Sequence, residues 1–302
     1  MTDLDAALPT IGWIGTGVMG GSMADRLLDR GYPMVVYNRT RSKCDPMVQR
    51  RAILATDPAD VACRSDVVIS IVGMPEDVRE IYLGPAGVLS ASENDIRCRT
   101  LIDMTTSRPD LAVEIHAAAA ARAIDAIDAP VSGGDVGARG GTLSIMVGGE
   151  ADAIADVRPI LEVLGRTIVH QGAAGSGQHT KMVNQILIAG TMMGMCEAIA
   201  YAERCGLNCD AVMQSVSGGA AGSWSLDNLA PRILQNDFEP GFFIEHFVKD
   251  LRIALDQADQ MNLAMPTLAL AKQFYAAAMA GGWSRRGTQA LQLVYRKLHD
   301  TA

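Results

Sequence analysis

Residues 10–43, "TIGWIGTGVMGGSMADRLLDRGYPMVVYNRTRSK", decide the fold. A short apolar run at 10–15 leads into Gly15-x-Gly17-x-x-Gly20. A helical pattern follows over 18–30, and a second apolar run closes the unit at 33–38. Strand, glycine turn, helix and strand at this spacing make a βαβ unit carrying the G-x-G-x-x-G fingerprint of dinucleotide binding. The glycines alone are a weak signal in a chain that has 30 of them, so the strand before and the helix after carry the weight. Gly15 permits the tight turn, Gly17 lets the backbone approach a pyrophosphate, and Gly20 allows the helix to pack closely. Thr16, Val18 and Met19 complete the loop and first helical turn, whose N–H groups point toward a bound anion.

The end of the second strand selects the cofactor. A carboxylate there would bind both ribose hydroxyls of NAD(H) and repel a 2′-phosphate. This chain has Asn38-Arg39-Thr40, with Arg41 and Lys43 behind them. Arg39 can pair with a 2′-phosphate and stack on adenine, and Thr40 adds a hydroxyl donor. NADP(H) is therefore expected ahead of NAD(H).

Further strands are predicted at 66–72, 100–104, 124–130, 143–149 and 167–170, with helical patterns at 75–82, 108–122 and 150–164. Apolar strands spaced by helices predict a mainly parallel, doubly wound α/β domain covered on both faces. After "QGAAGSGQ" (171–178) the strand signal stops. One long helix is predicted over 176–206, then helices at 208–217, 223–235, 245–261, 266–280 and 287–298. The expected organisation is a Rossmann-type domain over 1–170 and an all-α substrate and oligomerisation domain over 171–302.

Bulk properties narrow the function. A chain of 302 residues with 49% hydrophobic and 20% charged residues can bury real cores. A net charge of −8 argues against nucleic acid as the main partner, and requires any anionic ligand to be held by local positive potential. The most membrane-like stretch, 182–202, is interrupted by Asn184, Gln185 and Glu197, so it is expected to be a buried protein helix. The six cysteines form no C-x-x-C pair and have no histidine at metal spacing; reduced thiols and no metal site are expected. The opening "MTDLDAALPT" lacks the basic and apolar segments of a signal peptide, which predicts a cytoplasmic protein.

Two further stretches carry chemistry. "DAPVSGGDVGARGGTLSIMVGG" (128–149) places Ser132-Gly133-Gly134 after a strand end, a hydroxyl and open N–H groups suited to a carboxylate. "DMTTSRPD" (103–110) places Thr105 and Thr106 at another strand end, where such sheets gather their ligands. "GSGQHTKMVNQILIAG" (175–190) puts Lys181, one of only five lysines, at the start of the long apolar helix with Asn184 and Gln185 beside it. Hydride transfer to a carbonyl builds negative charge on oxygen, and a buried lysine is able to supply the proton.

Four blocks in order, "IGWIGTGVMG", "DAPVSGGDVGARGGTLSIMVGG", "GSGQHTKMVNQ" and "FFIEHFVKDLRIAL", make the whole chain resemble the β-hydroxyacid dehydrogenases. That family includes 3-hydroxyisobutyrate dehydrogenase and 2-hydroxy-3-oxopropionate reductase. The resemblance implies that Lys181 is the general acid–base and that Ser132, Gly133 and Gly134 hold the substrate carboxylate. It places Met74, Pro75, Thr106 and Lys249 at the cofactor. It also implies a homodimer or homotetramer acting on a small hydroxy acid and its semialdehyde. Some relatives carry Asn four residues after the lysine; here Gln185 stands at four and Asn184 at three, so either amide can order the substrate. The alternatives are a glyoxylate or succinic semialdehyde reductase, suggested by "YNRTRSKCD", then an imine reductase or a non-catalytic dinucleotide-binding module.

Overall fold

A computed structural model describes residues 8–299. The acidic stretch 1–7, on which the expectation of no signal peptide mostly rests, lies outside the described residues. The chain divides into two compact units, Met1–Lys181 and Met182–Ala302.

In the first unit the strands are β1 (Ile11–Ile14), β2 (Met34–Tyr37), β3 (Ile53–Leu54), β4 (Val67–Ser70), β5 (Thr100–Asp103), β6 (Asp125–Asp128), β7 (Val131–Ser132), β8 (Leu143–Gly148) and β9 (Gly165–Gly172). Its helices are α1 (Val18–Asp29), α2 (Asp45–Gln49), α3 (Pro58–Arg64), α4 (Pro75–Leu83), α5 (Pro109–Ala120), α6 (Gly134–Gly140) and α7 (Ala151–Leu164). The sheet runs β3-β2-β1-β4-β5-β6-β8-β7, with β9 paired to β8. Strands β1 to β6 are parallel to one another; β8 runs antiparallel to β6 and β7. This is the doubly wound Rossmann-type domain the sequence predicts. Side chains alternate between two cores, Ile11 and Trp13 to one face and Ile14, Val35 and Val68 to the other. Burial on both faces is why these strands are apolar throughout. Strands β3 and β7, of two residues each, and the short helices α2, α3 and α6 carry too little periodicity to stand out in sequence.

The second unit is helical: the rest of α8 (Ser176–Arg204), then α9 (Cys209–Ser217), α10 (Trp224–Leu234), α11 (Ile244–Gln260), α12 (Pro266–Ala280) and α13 (Gln292–His299). Met192, Cys196 and Ile199 of α8 pack in one core with Phe247 and Leu251 of α11 and Tyr275 of α12. The Phe247 and Tyr275 rings meet edge to face, 4.9 Å between centroids. Among the described helices α8 alone is long and apolar enough to cross a membrane, with a mean hydropathy of 1.3 over 18 residues. Its buried methionines face the protein's own core instead.

The division into compact units falls after Lys181, inside α8. The reason is local: β9 extends the sheet of the first unit, and the first turn of α8 is hydrogen-bonded to β6 and the β5 loop.

Candidate active site

The carboxyl ends of the parallel strands collect most of the residues singled out in the sequence. Gly15 has φ +101°, and a Cβ there would stand 2.1 Å from the Ile71 carbonyl oxygen. At Gly20 a Cβ would stand 2.1 Å from the Gly15 carbonyl oxygen. Both positions are closed to any side chain, Gly15 by the backbone that follows β4 and Gly20 by the carbonyl of Gly15. At Gly17 a Cβ would meet nothing within 4 Å. Gly17 caps α1 with no side chain, and the first turn of α1 contains no acidic residue. The positive end of α1 thus faces open space bounded by backbone, a cradle of the kind a pyrophosphate fills. Val18 stands exposed at its lip, and Met19 packs partly against the core.

Asn38 secures this loop. Its Oδ1 accepts the Thr16 N–H at 3.1 Å, and its Nδ2 donates to the Thr40 carbonyl at 2.9 Å. Arg39 extends into solvent and donates to Asp77 Oδ1 at 2.8 Å; its side chain is 85% exposed. The other Asp77 oxygen accepts the Met74 N–H at 3.1 Å, so Asp77 joins the end of β2 to the Met74-Pro75 start of α4. An exposed ion pair of this kind contributes about 0–1 kcal/mol. Arg39 is therefore free to turn to a phosphate dianion, which binds guanidinium more strongly.

At the end of β5, Asp103 is buried and accepts from Ser70 Oγ at 2.9 Å and from the Thr105 N–H at 3.0 Å. Ser70 Oγ is also 2.8 Å from the Tyr82 hydroxyl. Thr105 Oγ1 accepts the Val72 N–H at 2.9 Å, linking the β4 and β5 loops. Thr106 lies half-buried between Thr105 and Ser107. Burial pushes the Asp103 carboxyl up to about 6, against the hydrogen bonds from Thr105 and Ser70 that favour its ionised form. Its folded value then exceeds its ordinary 3.8, so the folded protein binds the proton more readily. On this account stability rises as pH falls from about 6 toward 4, and ionised Asp103 costs stability above 6. The gap corresponds to about 3 kcal/mol. Asp103→Asn keeps an acceptor oxygen and removes the ionisation. It is expected to raise Tm at pH 7.5 and to flatten the pH dependence between 6 and 4. An unchanged slope in thermal unfolding across that range would contradict this.

Asp128, at the end of β6 and in register with Asp103, receives the start of α8. Its carboxylate accepts the Gly175 N–H at 2.7 Å and the Gln178 N–H at 2.8 Å. Burial raises its pKa, while these backbone donors hold it down. The seat is tight: a Cβ on Gly177 would lie 2.4 Å from the Met146 carbonyl oxygen. One turn further along α8, Lys181 is buried, 6% exposed, and its Nζ donates to the Val131 carbonyl at 2.9 Å. Val131 directly precedes Ser132-Gly133-Gly134, where Gly133 has φ +127° and Gly134 φ +62°. That left-handed backbone favours glycine and turns the chain into α6. Lys181 Nζ and the Ser132-Gly133-Gly134 turn are thereby neighbours within the first unit.

In the second unit Asn184 and Gln185 are hydrogen-bonded in series. Asn184 Nδ2 donates to Gln185 Oε1 at 2.7 Å, and Gln185 Nε2 donates to Asp250 Oδ2 at 2.6 Å. Lys249 Nζ lies 3.2 Å from Asp250 Oδ1, and all three of Gln185, Lys249 and Asp250 are buried. Sequence reasoning missed Asp77, Asp103, Asp128, Gln178 and Asp250. Each is a polar residue inside or beside a block already singled out; burial of Asp103, Asp128, Gln178 and Asp250, and the ion pair of half-buried Asp77, are signals that only the fold supplies. A separate cleft of about 460 Å³ opens at the opposite, amino-terminal edge of the strands, beside Thr10, Met34, Arg51, Arg64 and Arg97. It holds none of the residues expected at the site.

Residues 10–172 match a family described as the NAD binding domain of 6-phosphogluconate dehydrogenase. Residues 175–295 match one described as the NAD-binding of NADP-dependent 3-hydroxyisobutyrate dehydrogenase. An uncharacterized oxidoreductase of Bacillus subtilis is 51% identical, over 95% of this chain and 99% of that protein. A mitochondrial 3-hydroxyisobutyrate dehydrogenase-like protein of Arabidopsis thaliana is 46% identical, over 97% of this chain and 86% of its own. Among solved structures, the 3-hydroxyisobutyrate dehydrogenase of Mycobacterium tuberculosis with L-serine superposes with a TM-score of 0.85 at 28% identity. The match covers 97% of this chain and 99% of that one.

Proposed function

The chain belongs to the β-hydroxyacid dehydrogenase family, and from that membership we propose that it interconverts 3-hydroxyisobutyrate and its semialdehyde, using NADP(H) ahead of NAD(H). The coarser activity is that of an NAD(P)-dependent β-hydroxyacid dehydrogenase. The observation that carries the acid–base reading is the placement of Lys181 Nζ on the Val131 carbonyl, at the threshold of Ser132-Gly133-Gly134; the 3-hydroxyisobutyrate dehydrogenase-like relatives support the choice of substrate.

Bound nicotinamide supplies the hydride in reduction and takes it in oxidation. Everything else falls to the chain. Ser132 and the N–H groups of the glycine turn hold the substrate carboxylate, which fixes the carbon chain by one end. Lys181 donates a proton to the carbonyl oxygen as it becomes a hydroxyl, and takes it back in the reverse direction. Burial of the lysine keeps bulk water from competing for that proton. Asn184 and Gln185, linked to Asp250, order the polar side of the substrate. Arg39 and Thr40 favour the 2′-phosphate of NADP(H), supported by the NADP-dependent family matched at 175–295. Exposed Val183, Leu187 and Tyr201 along α8 support a homo-oligomer, a dimer or tetramer.

The substituent at C2 is worth only about 1–3 kcal/mol of pocket contacts, so the test is a panel. Hydroxyisobutyrate, glycerate, threonate, hydroxybutyrate and L-serine are assayed with NADP+ and NAD+, alongside glyoxylate and succinic semialdehyde in reduction. The highest kcat/KM is expected for hydroxyisobutyrate with NADP+. Arg39→Ala is expected to raise KM for NADP+ about tenfold or more, one lost charge-assisted pair, and to leave KM for NAD+ within about threefold. Preference for glyoxylate would replace the substrate, and an indifferent Arg39→Ala would remove the cofactor preference.

A further inference from the structure

We propose that Gln178 is a positioning residue, a latch that sets the catalytic lysine against the cofactor-side loop, with Asp128 as its anchor. The proposal rests on the reading of Lys181 as proton donor and goes beyond it. Gln178 is completely buried, and its backbone N–H and both ends of its side-chain amide are engaged in the first unit. Its N–H donates to Asp128 at 2.8 Å. Its side-chain Oε1 accepts the Ser107 N–H at 2.9 Å, and its Nε2 donates to the Thr105 carbonyl at 2.7 Å. The amide plane thus grips the backbone on both sides of Thr106.

Three residues on, less than one helical turn, stands Lys181, itself hydrogen-bonded to the strand that leads into Ser132-Gly133-Gly134. One turn of α8 therefore joins three things that hydride transfer needs in register: the loop at the cofactor, the substrate loop and the proton donor. Asp128 fixes the beginning of that turn by taking the Gly175 and Gln178 N–H groups. It also places a carboxylate at the positive end of the longest helix in the chain. A shift of about 1 Å in such an arrangement costs on the order of a hundredfold in rate. A fully buried glutamine with both ends of its amide satisfied by backbone is a costly choice for simple space-filling, since any misalignment leaves polar groups unpaired. Its geometry points to register as the function.

The test compares Gln178→Ala, Gln178→Met, Lys181→Ala and the Gln178→Ala/Lys181→Ala double variant in the full-length enzyme. Gln178→Met fills nearly the same space, so it serves where Gln178→Ala does not fold. Either single Gln178 variant is expected to lower kcat about tenfold or more, with Kd for NADPH within about threefold of the native protein. Amide hydrogen exchange should quicken at 104–108 and 175–180 while β1 keeps its protection. In the Lys181→Ala background the Gln178 substitution is expected to add nothing to the loss in kcat, because the residue acts through the lysine. An equal further loss in that background, or kcat within twofold of native for Gln178→Met, overturns the latch while an impaired Lys181→Ala leaves the proposed chemistry standing. Near-native turnover of Lys181→Ala overturns that chemistry, and the latch with it.

Discussion

Lys181→Ala is expected to lower kcat by about 10²–10⁴-fold, the range a placed proton donor contributes, and to leave Kd for NADPH unchanged. The separation follows from where the side chain goes. Its Nζ reaches the Val131 carbonyl on the substrate strand, whereas the glycine loop, Asn38 and Arg39 at the ends of β1 and β2 make no use of it. Truncation also leaves the Val131 carbonyl without this donor, so a modest fall in Tm is expected alongside the loss of rate. Lys181→Arg sharpens the result. Arginine keeps the charge and still donates hydrogen bonds, but it does not give up its proton in a protein. If Lys181 only supplied positive potential, Lys181→Arg would retain much of the rate. If it transfers a proton, Lys181→Arg should be nearly as slow as Lys181→Ala. Stopped-flow rates with NADPH in both variants decide between these, and near-native turnover in Lys181→Ala would end the assignment.

The contrast between Lys181 and Gln178 shows which parts of the site were legible in sequence. Glycine spacing, a strand on either side of a helix and an isolated lysine on an apolar helix are one-dimensional patterns, and they single out the glycine loop and Lys181 as candidates. The network that holds them is not one-dimensional. Asp103 and Asp128 lie 25 residues apart in sequence yet sit in register on adjacent strands. Gln178 meets Thr105 and Ser107 across more than 70 residues. No local periodicity marks such pairs, because what selects them is the cost of burying a polar group without a partner. The same cause explains Asn184 and Gln185. Spacing offered them as rivals on one helix face, and only the carboxylate of Asp250 shows that they form a chain. The compact unit reaches past the last strand for a related reason: the strand signal ends near 170, but the polar contacts of the first unit continue into the first turn of α8.

The glycine loop gives the second large effect, and there Gly17 and Gly20 are expected to fail differently. Gly17→Val should raise Kd for NADPH about a hundredfold, equivalent to about 2.8 kcal/mol, with Tm of the cofactor-free protein unchanged or slightly higher. Gly17 has φ −70° and ψ −170°, an extended conformation that valine adopts readily, and nothing stands within 4 Å of the added Cβ. Reduced freedom of the unfolded chain favours the substitution by a few tenths of a kcal/mol up to about 1. The fold therefore has no objection to valine at 17; only a pyrophosphate against the N–H groups of α1 does. Gly20→Ala is the opposite case. Its Cβ would be driven to 2.1 Å from a backbone oxygen, which forces α1 away from β1, so Tm and cofactor affinity should fall together. Thermal unfolding with and without NADPH, joined to titration of cofactor fluorescence, separates the two. A Gly17→Val protein that binds NADPH normally would mean that the phosphates do not lie on this helix. The open space at Gly17 would then need another purpose, since a packed loop has no reason to leave that position bare.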